Sequence, residues 1–201
     1  VRADSLQAHS GVRLPVAGHF NDVQETLRDE FVELIGWIVT EGCYGKRYGE
    51  ITIYQSLSAN REKVERIKHV LDSSGIPYTF HTYTRNRVLK RKPGTKIVNA
   101  VFRINAKAST EIKKIIPDKK LTLEFILGLS ERQLNLLYET LVSGDGYRRG
   151  DGRTSWIQYD LEQLELFRII CLLTGRRTFL ASRKDCVYVT NRADAQIHYS
   201  D

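Results

Sequence analysis

The run Leu34-Ile35-Gly36-Trp37-Ile38-Val39-Thr40-Glu41-Gly42 decides how this chain is read, because Tyr138-Glu139-Thr140-Leu141-Val142-Ser143-Gly144-Asp145-Gly146 repeats its plan. Each is an apolar, helix-like run ending in a carboxylate followed by glycine. Each places small residues four apart, Gly36 with Thr40 and Thr140 with Gly144. Positions four apart share one helix face, and small side chains there let two backbones approach closely. If the two helices pack in parallel, Glu41 and Asp145 arrive side by side at one end. Two carboxylates brought together in this way read as a divalent-metal site. The competing reading is two ordinary exposed acids at helix ends.

Working outward, the apolar set Leu27, Phe31, Leu34, Ile35 and Ile38 follows helical spacing, and Gly42 and Gly45 stop the helix. Residues 50–55 alternate as a strand with Ile51 and Ile53 on one face. Asn60 is placed to cap the next helix, whose stripe is Val64, Ile67, Val70 and Leu71 and whose end is Gly75 then Pro77. Residues 78–83 and 98–104 are predicted strands joined by a long loop, and 109–116 a short helix. Ser130 with Gln133 forms a capping box that opens the second signature helix. A strand over 155–159, a helix with Leu164, Phe167, Ile170 and Cys171, and strands near 178–181 and 186–190 follow. Asp160 with Gln163 is a second cap signal.

The order helix, strand, helix, strand, strand thus occurs twice. Ile53 and Gln55 match Trp156 and Gln158; Val64, Ile67 and Gly75 match Leu164, Phe167 and Gly175; Phe102 and Asn105 match Tyr188 and Asn191. Two fused copies of one unit, related by a pseudo-twofold axis, follow from this. The expected fold class is α/β in the α+β sense, as two αββαββ-type repeats. The expected division is an irregular arm over 1–20, a first repeat over 21–116, a packed connector over 117–130 and a second repeat over 131–201.

The charge balance, Lys+Arg 31 against Asp+Glu 24 for a net +7, favours a polyanionic partner. The three cysteines have no CxxC spacing, which argues against a disulfide framework and for an intracellular setting. No apolar run reaches membrane-spanning length. With no methionine in the chain, Val1 reads as the start of a processed or excised fragment. The five histidines share no spacing, and none is read as a ligand.

The segment Arg85–Lys96, RNRVLKRKPGTK, holds six basic residues and no acid. Arg85, Arg87, Lys90, Arg91, Lys92 and Lys96 suit phosphate contacts along a duplex, with Arg85 and Arg87 nearer base edges. Tyr83, Asn99 and Arg103 flank them. In the second copy Arg148, Arg149, Arg153, Arg183 and Lys184 are the basic candidates. Gln55 and Gln158 hold matched strand positions, and glutamine can read adenine.

These segments resemble the signature of the LAGLIDADG homing endonucleases. Glu41-Gly42 and Asp145-Gly146 match its last two positions, and Leu34, Gly36 and Ile38 match in the first copy; Tyr138 and Thr140 depart from the usual Leu and Gly, and Glu41 from the commoner Asp. The resemblance spans residues 27–190. It implies two antiparallel sheets forming a saddle over double-stranded DNA, with the signature helices packed above its centre. It further implies a monomeric, site-specific double-strand endonuclease using Mg2+ (or Mn2+ or Ca2+ in the same site), with metal-activated water attacking the phosphodiester. Glu41 and Asp145, with Gly42 and Gly146 beside them, form the implied metal site. A basic residue near each metal is also implied: by position Lys120 for the first half and Lys184 for the second. The other readings are a cleavage-inactive DNA- or RNA-binding regulator or maturase on the same fold, and the nuclease portion of an intein. The chain ends in Ser200-Asp201 and lacks the terminal Asn of splicing, so it is not expected to splice itself.

Overall fold

The computed structural model describes residues 13–15, 23–45, 49–89, 92–148, 150, 153–180, 186–190 and 194–196, with side chains described outside 13–15, 85–95, 186, 190 and 194–196. Two helices organise it. Helix α1 (Asp29–Glu41) and helix α5 (Glu131–Asp145) run in parallel through the middle of the core. Gly36 lies against Thr140 and Gly144 against Thr40, a reciprocal pair of close approaches. The two threonines fit because each turns its hydroxyl back onto its own helix, Thr40 Oγ1 donating to Gly36 O (3.0 Å) and Thr140 Oγ1 to Leu136 O (2.8 Å). At their N-terminal ends Arg132 pairs with Glu25 and Asp29, and Gln133 Nε2 donates to Leu27 O at 2.6 Å. That last bond is where the Gln133 amide goes: Ser130 does accept from Gln133 N, but the reciprocal half of the capping box is not made.

Each helix feeds a four-stranded antiparallel sheet. The first contains β2 (Gly42–Tyr44), β3 (Ile51–Ser56), β4 (Tyr78–Leu89) and β5 (Lys92–Ile104) in the order β2-β3-β5-β4. The second contains β6 (Gly146–Arg148), β7 (Thr154–Ile157), β8 (Arg177–Leu180) and β9 (Cys186–Thr190) in the matching order β6-β7-β9-β8. The helices α2 (Arg61–Ser74) and α6 (Leu161–Leu173) complete the repeats, each followed by a glycine at positive φ, Gly75 and Gly175, the left-handed step that turns the chain into the next strand.

Three expectations need correction. The described part of the basic segment is strand rather than loop: β4 and β5 form one long ribbon, with Arg85 opposite Ile97, Asn86 opposite Lys96 and Arg87 opposite Thr95. Thr84, Val88, Thr95, Ile97 and Val98 around the charges are β-branched and suit the extended pleat. The repeat match at the last strand is also off by one residue. Register places Phe102 opposite Ile53 and Val187 opposite Trp156, so Phe102 corresponds to Val187 rather than Tyr188. Aligning aromatic with aromatic ignored the pleat, which sends neighbouring residues to opposite faces. Lastly, the expected irregular arm contains a short strand, β1 (Arg13–Pro15), which pairs with β10 (Asp194–Gln196).

After β5 come helix α3 (Ala106–Ile115), a 3-10 turn (Pro117–Lys119) and helix α4 (Leu123–Leu127). The connector packs as its composition predicts: Leu121, Phe125, Ile126 and Leu129 join the core. Gln163 of α6 clamps it, accepting from Leu121 N at 2.8 Å and donating to Leu121 O at 3.1 Å. Asp160 caps α6 through Glu162 N, so Gln163 serves the connector rather than a capping box. Among the described residues no helix is long and apolar enough to cross a membrane.

Among the described residues one charged side chain is buried in the core. Glu33 on α1 is buried, accepts from Trp37 Nε1 at 3.1 Å and pairs with Arg66 on α2. Glu33→Ala would leave the indole N–H without an acceptor and the guanidinium without its anion. The expected loss is about 2 kcal/mol, to be read from denaturant unfolding; a change under half that size would mean the pair is replaceable by water.

Candidate active site

Glu41 and Asp145 are the last residues of α1 and α5, and each helix passes straight into a strand. The following residue has to be glycine for a steric reason. A Cβ on Gly42 would meet Ile38 Cα at 3.0 Å and one on Gly146 would meet Val142 Cα at 2.7 Å, with the helix carbonyl oxygens nearer still. The paired helices therefore bring two carboxylates to one end of the core, where the negative ends of two helix dipoles already converge.

The surroundings of the two acids repeat. Gln55 Nε2 donates to Glu41 Oε1 at 2.8 Å, and Gln158 Nε2 donates to Asp145 Oδ2 at 3.1 Å. Gln55 is 6% exposed, and its carbonyl accepts from Asn60 Nδ2 at 2.9 Å and Ser56 N at 2.8 Å. Asn60 thus orients Gln55 and does not cap α2 with its side chain. Two lysines reach the same place from elsewhere. Lys119 Nζ donates to Thr40 O at 3.1 Å and Lys63 Nζ to Gly144 O at 3.2 Å, equivalent carbonyls of the two helices. Lys63 Nζ also lies 3.6 Å from Glu41 Oε1. Burial holds the Asp145 carboxyl above its ordinary pKa; the Glu41 charge adds to this, while Lys119 and Lys63 oppose it.

The glutamines and lysines are where sequence and structure part. Both glutamines were expected to face DNA bases; the structure turns both inward onto the acids. Lys120 was the expected basic partner of the first half. Its ammonium is held instead by Asp160 Oδ2 at 2.6 Å, at the edge of a cleft of about 190 Å³ that Lys119, Gln158 and Gln163 also line. Lys119 and Lys63 stand beside the acids. Lys63 was missed altogether: it sits on the exposed first turn of α2, and its contact with Gly144 crosses from one repeat to the other, so no local pattern marks it. Its repeat equivalent is Gln163, the connector clamp.

The remaining candidates lie on the sheets. Lys96 is exposed, Arg103 pairs with Glu50 at 3.4 Å and Arg148 pairs with Glu139. Arg153 is exposed and engaged in an interaction of its own. Arg85, Arg87 and Lys92 lie on the long ribbon by backbone, and their side chains fall outside the described residues. Lys90, Arg91, Arg149, Arg183 and Lys184 lie outside the described residues altogether.

The donor set at the acids is all oxygen, which suits a hard cation. Each glutamine occupies one carboxylate oxygen, so among the described residues Glu41 Oε2 and Asp145 Oδ1 have no hydrogen-bonding partner. Among those residues no group of three or more His, Cys, Asp or Glu side chains gathers at one point. A cation here would take its remaining ligands from water and substrate, the usual habit of Mg2+.

Neither a family model nor a curated protein matches the sequence. Solved structures do match the fold. One is the homing endonuclease I-WcaI bound to its DNA recognition sequence, at 16% identity and TM-score 0.53 over 84% of this chain and 78% of that one. A second is a double variant of I-DmoI with its target DNA nicked in one strand, in the presence of manganese, at 11% identity and TM-score 0.53 over 80% of this chain and 87% of that one. The N-terminal LAGLIDADG domain of WhiA matches at 12% identity and TM-score 0.49, over 84% and 78%. At such identities the likeness shows a shared fold, that of the LAGLIDADG homing endonucleases.

Proposed function

We propose that the protein is a site-specific double-strand DNA endonuclease that hydrolyses phosphodiester bonds with metal-activated water. The observation that carries this is the duplicated set around Glu41 and Asp145, a carboxylate held by a glutamine with a lysine on the neighbouring helix carbonyl, occurring twice at the helix pair. Glu41 and Asp145 would hold Mg2+, which on binding lowers the pKa of a water and polarises the phosphoryl oxygen. Gln55 and Gln158 fix the carboxylate oxygens with one N–H each. Lys63 and Lys119 put positive charge beside the reacting phosphate, where negative charge develops. The two sheets carry the duplex, and the ribbon of β4 and β5, with its basic residues, supplies phosphate contacts. Both halves of the site lie in one chain, so a monomer suffices. The test is cleavage of a randomised plasmid library with and without Mg2+; defined ends that appear only with the cation support the reading, and intact plasmid overturns it.

One observation favours a binder that does not cut. The two lysines already offset the charge of the two acids, so the quartet is electrostatically tolerable as a structural cluster. Thermal unfolding separates the two readings without a substrate. In the metal site, Mg2+ raises the Tm of the parent protein and leaves that of Asp145→Asn unchanged.

The same experiment in metal-free buffer has a definite sign. A carboxyl whose pKa is raised by folding binds its proton more tightly in the native state, so its ionisation destabilises the fold. Stability from Asp145 is present below the ordinary carboxylate pKa and is lost as pH rises through the raised value. Metal-free Asp145→Asn should therefore melt above the parent at pH 7, with the gap closing as pH falls. A variant that melts below the parent at pH 7 would show that the lysines outweigh burial.

A further inference from the structure

The outer faces of the two sheets, on the side away from the helices, are built from different chemistry at equivalent positions. In the first sheet one row crosses all four strands as Cys43, Thr52, Arg103 and Thr79. The equivalent row in the second sheet is Tyr147, Ser155, Tyr188 and Phe179. The neighbouring row has Tyr54, Val101 and His81 in the first sheet and Ile157 in the second. The arginine of one half is thus a tyrosine in the other, and one of its threonines a phenylalanine. Three side chains of the second sheet are accessible there: Tyr147 is 63% exposed, Phe179 45% and, in the neighbouring row, Ile157 49%, and the Phe179 and Tyr188 rings lie 5.3 Å apart. An apolar face of this kind marks a contact surface.

What covers it follows from where it starts. Tyr147 is two residues beyond Asp145, on the strand that leaves the acid. A phosphodiester that reaches Asp145 therefore brings the adjoining duplex onto this face, and the net charge of +7 suits that partner. Resting on the endonuclease reading, we infer that the second repeat recognises its half of the target chiefly by apolar contact with thymine methyl groups in the major groove. The first repeat reads its half through hydrogen-bonding groups, with the exposed Arg103, Thr79 and His81 on the equivalent surface. Apolar side chains single out thymine because its 5-methyl is the one apolar group that base edges present there. The target is then asymmetric, with one half rich in thymine.

The experiment begins with duplexes selected by the protein from a randomised library in EDTA. The selected duplex is remade with deoxyuridine for thymidine in one half at a time, which removes the methyl and leaves every hydrogen-bonding group. Affinity should fall about fourfold per contacted methyl in one half and by less than twofold in the other. In Ile157→Ser/Phe179→Ser, the uracil sensitivity of that half should vanish. Both side chains are exposed, so an unchanged Tm shows that the variant remains folded. Equal affinity for all uracil duplexes overturns the inference while leaving the nuclease reading intact. Failure to select any duplex overturns both. A dimer of the free protein that the double variant dissociates would assign the face to a second copy of the chain, and overturns the inference as well.

Discussion

Asp145→Asn and Glu41→Gln are each expected to lower the rate of plasmid cleavage roughly a thousandfold or more while leaving duplex affinity within about threefold. The size follows from what a bound cation contributes, several kcal/mol of stabilisation in the transition state, at one decade in rate for each 1.36 kcal/mol. The selectivity follows from placement. Both acids sit at helix ends between the two sheets, not on the sheet faces that would carry the duplex. The amides keep the size of the acids, and each still offers a carbonyl oxygen to Gln55 or Gln158. Conversion of supercoiled plasmid to nicked and linear forms, beside a binding titration in Ca2+, reads both quantities. Parent-rate linearisation by either variant would remove that residue from the metal site.

Gly144→Ala should destabilise the helix pair strongly. Its Cβ would meet Thr40 Cγ2 at 2.6 Å, with Thr40 Cβ and Oγ1 nearer still. Thr40 cannot turn away, because its hydroxyl is fixed on Gly36 O at 3.0 Å. The helices must separate, at a cost of about 3 kcal/mol. For a chain of this size that lowers Tm by about 6–12 °C. Separation also moves Asp145 away from Glu41, so cleavage should fall further than stability alone accounts for. Gly36→Ala meets Thr140 Cγ2 at 2.7 Å and should behave similarly with a smaller loss. Adding Thr40→Gly to Gly144→Ala removes the obstructing atoms and should recover part of the Tm, less about 1 kcal/mol for a helical glycine. Unchanged melting in Gly144→Ala would show that the helices tolerate separation.

The helix pair, its small residues and its acids were legible because they are local. A four-residue spacing is set by the pitch of one helix, and the glycine after each acid is required by the same helix that precedes it. The duplication then supplied the partner, since two copies of an unusual helix face imply that the faces meet. The long ribbon was less legible. Its alternation is interrupted by the consecutive Lys90, Arg91 and Lys92, so the strand signal fades where the charge density rises.

The sequence by itself determined that Glu41 and Asp145 end two paired helices, because periodicity and the Gly36, Thr40, Thr140 and Gly144 contacts are properties of short segments. Only the tertiary structure decided what surrounds them. Gln55 turns to Glu41 rather than to solvent because the pairing of β3 with β5 puts it on the inner face, and Gln158, just past the end of β7, meets Asp145 in the same way. Lys119 rather than Lys120 reaches the helix end because the turn at Pro117–Lys119 carries it there, Asp118 and Lys119 taking positive φ. Lys63 reaches Gly144 because the two repeats dock, and a contact between side chains far apart in the chain leaves no periodic trace in either segment.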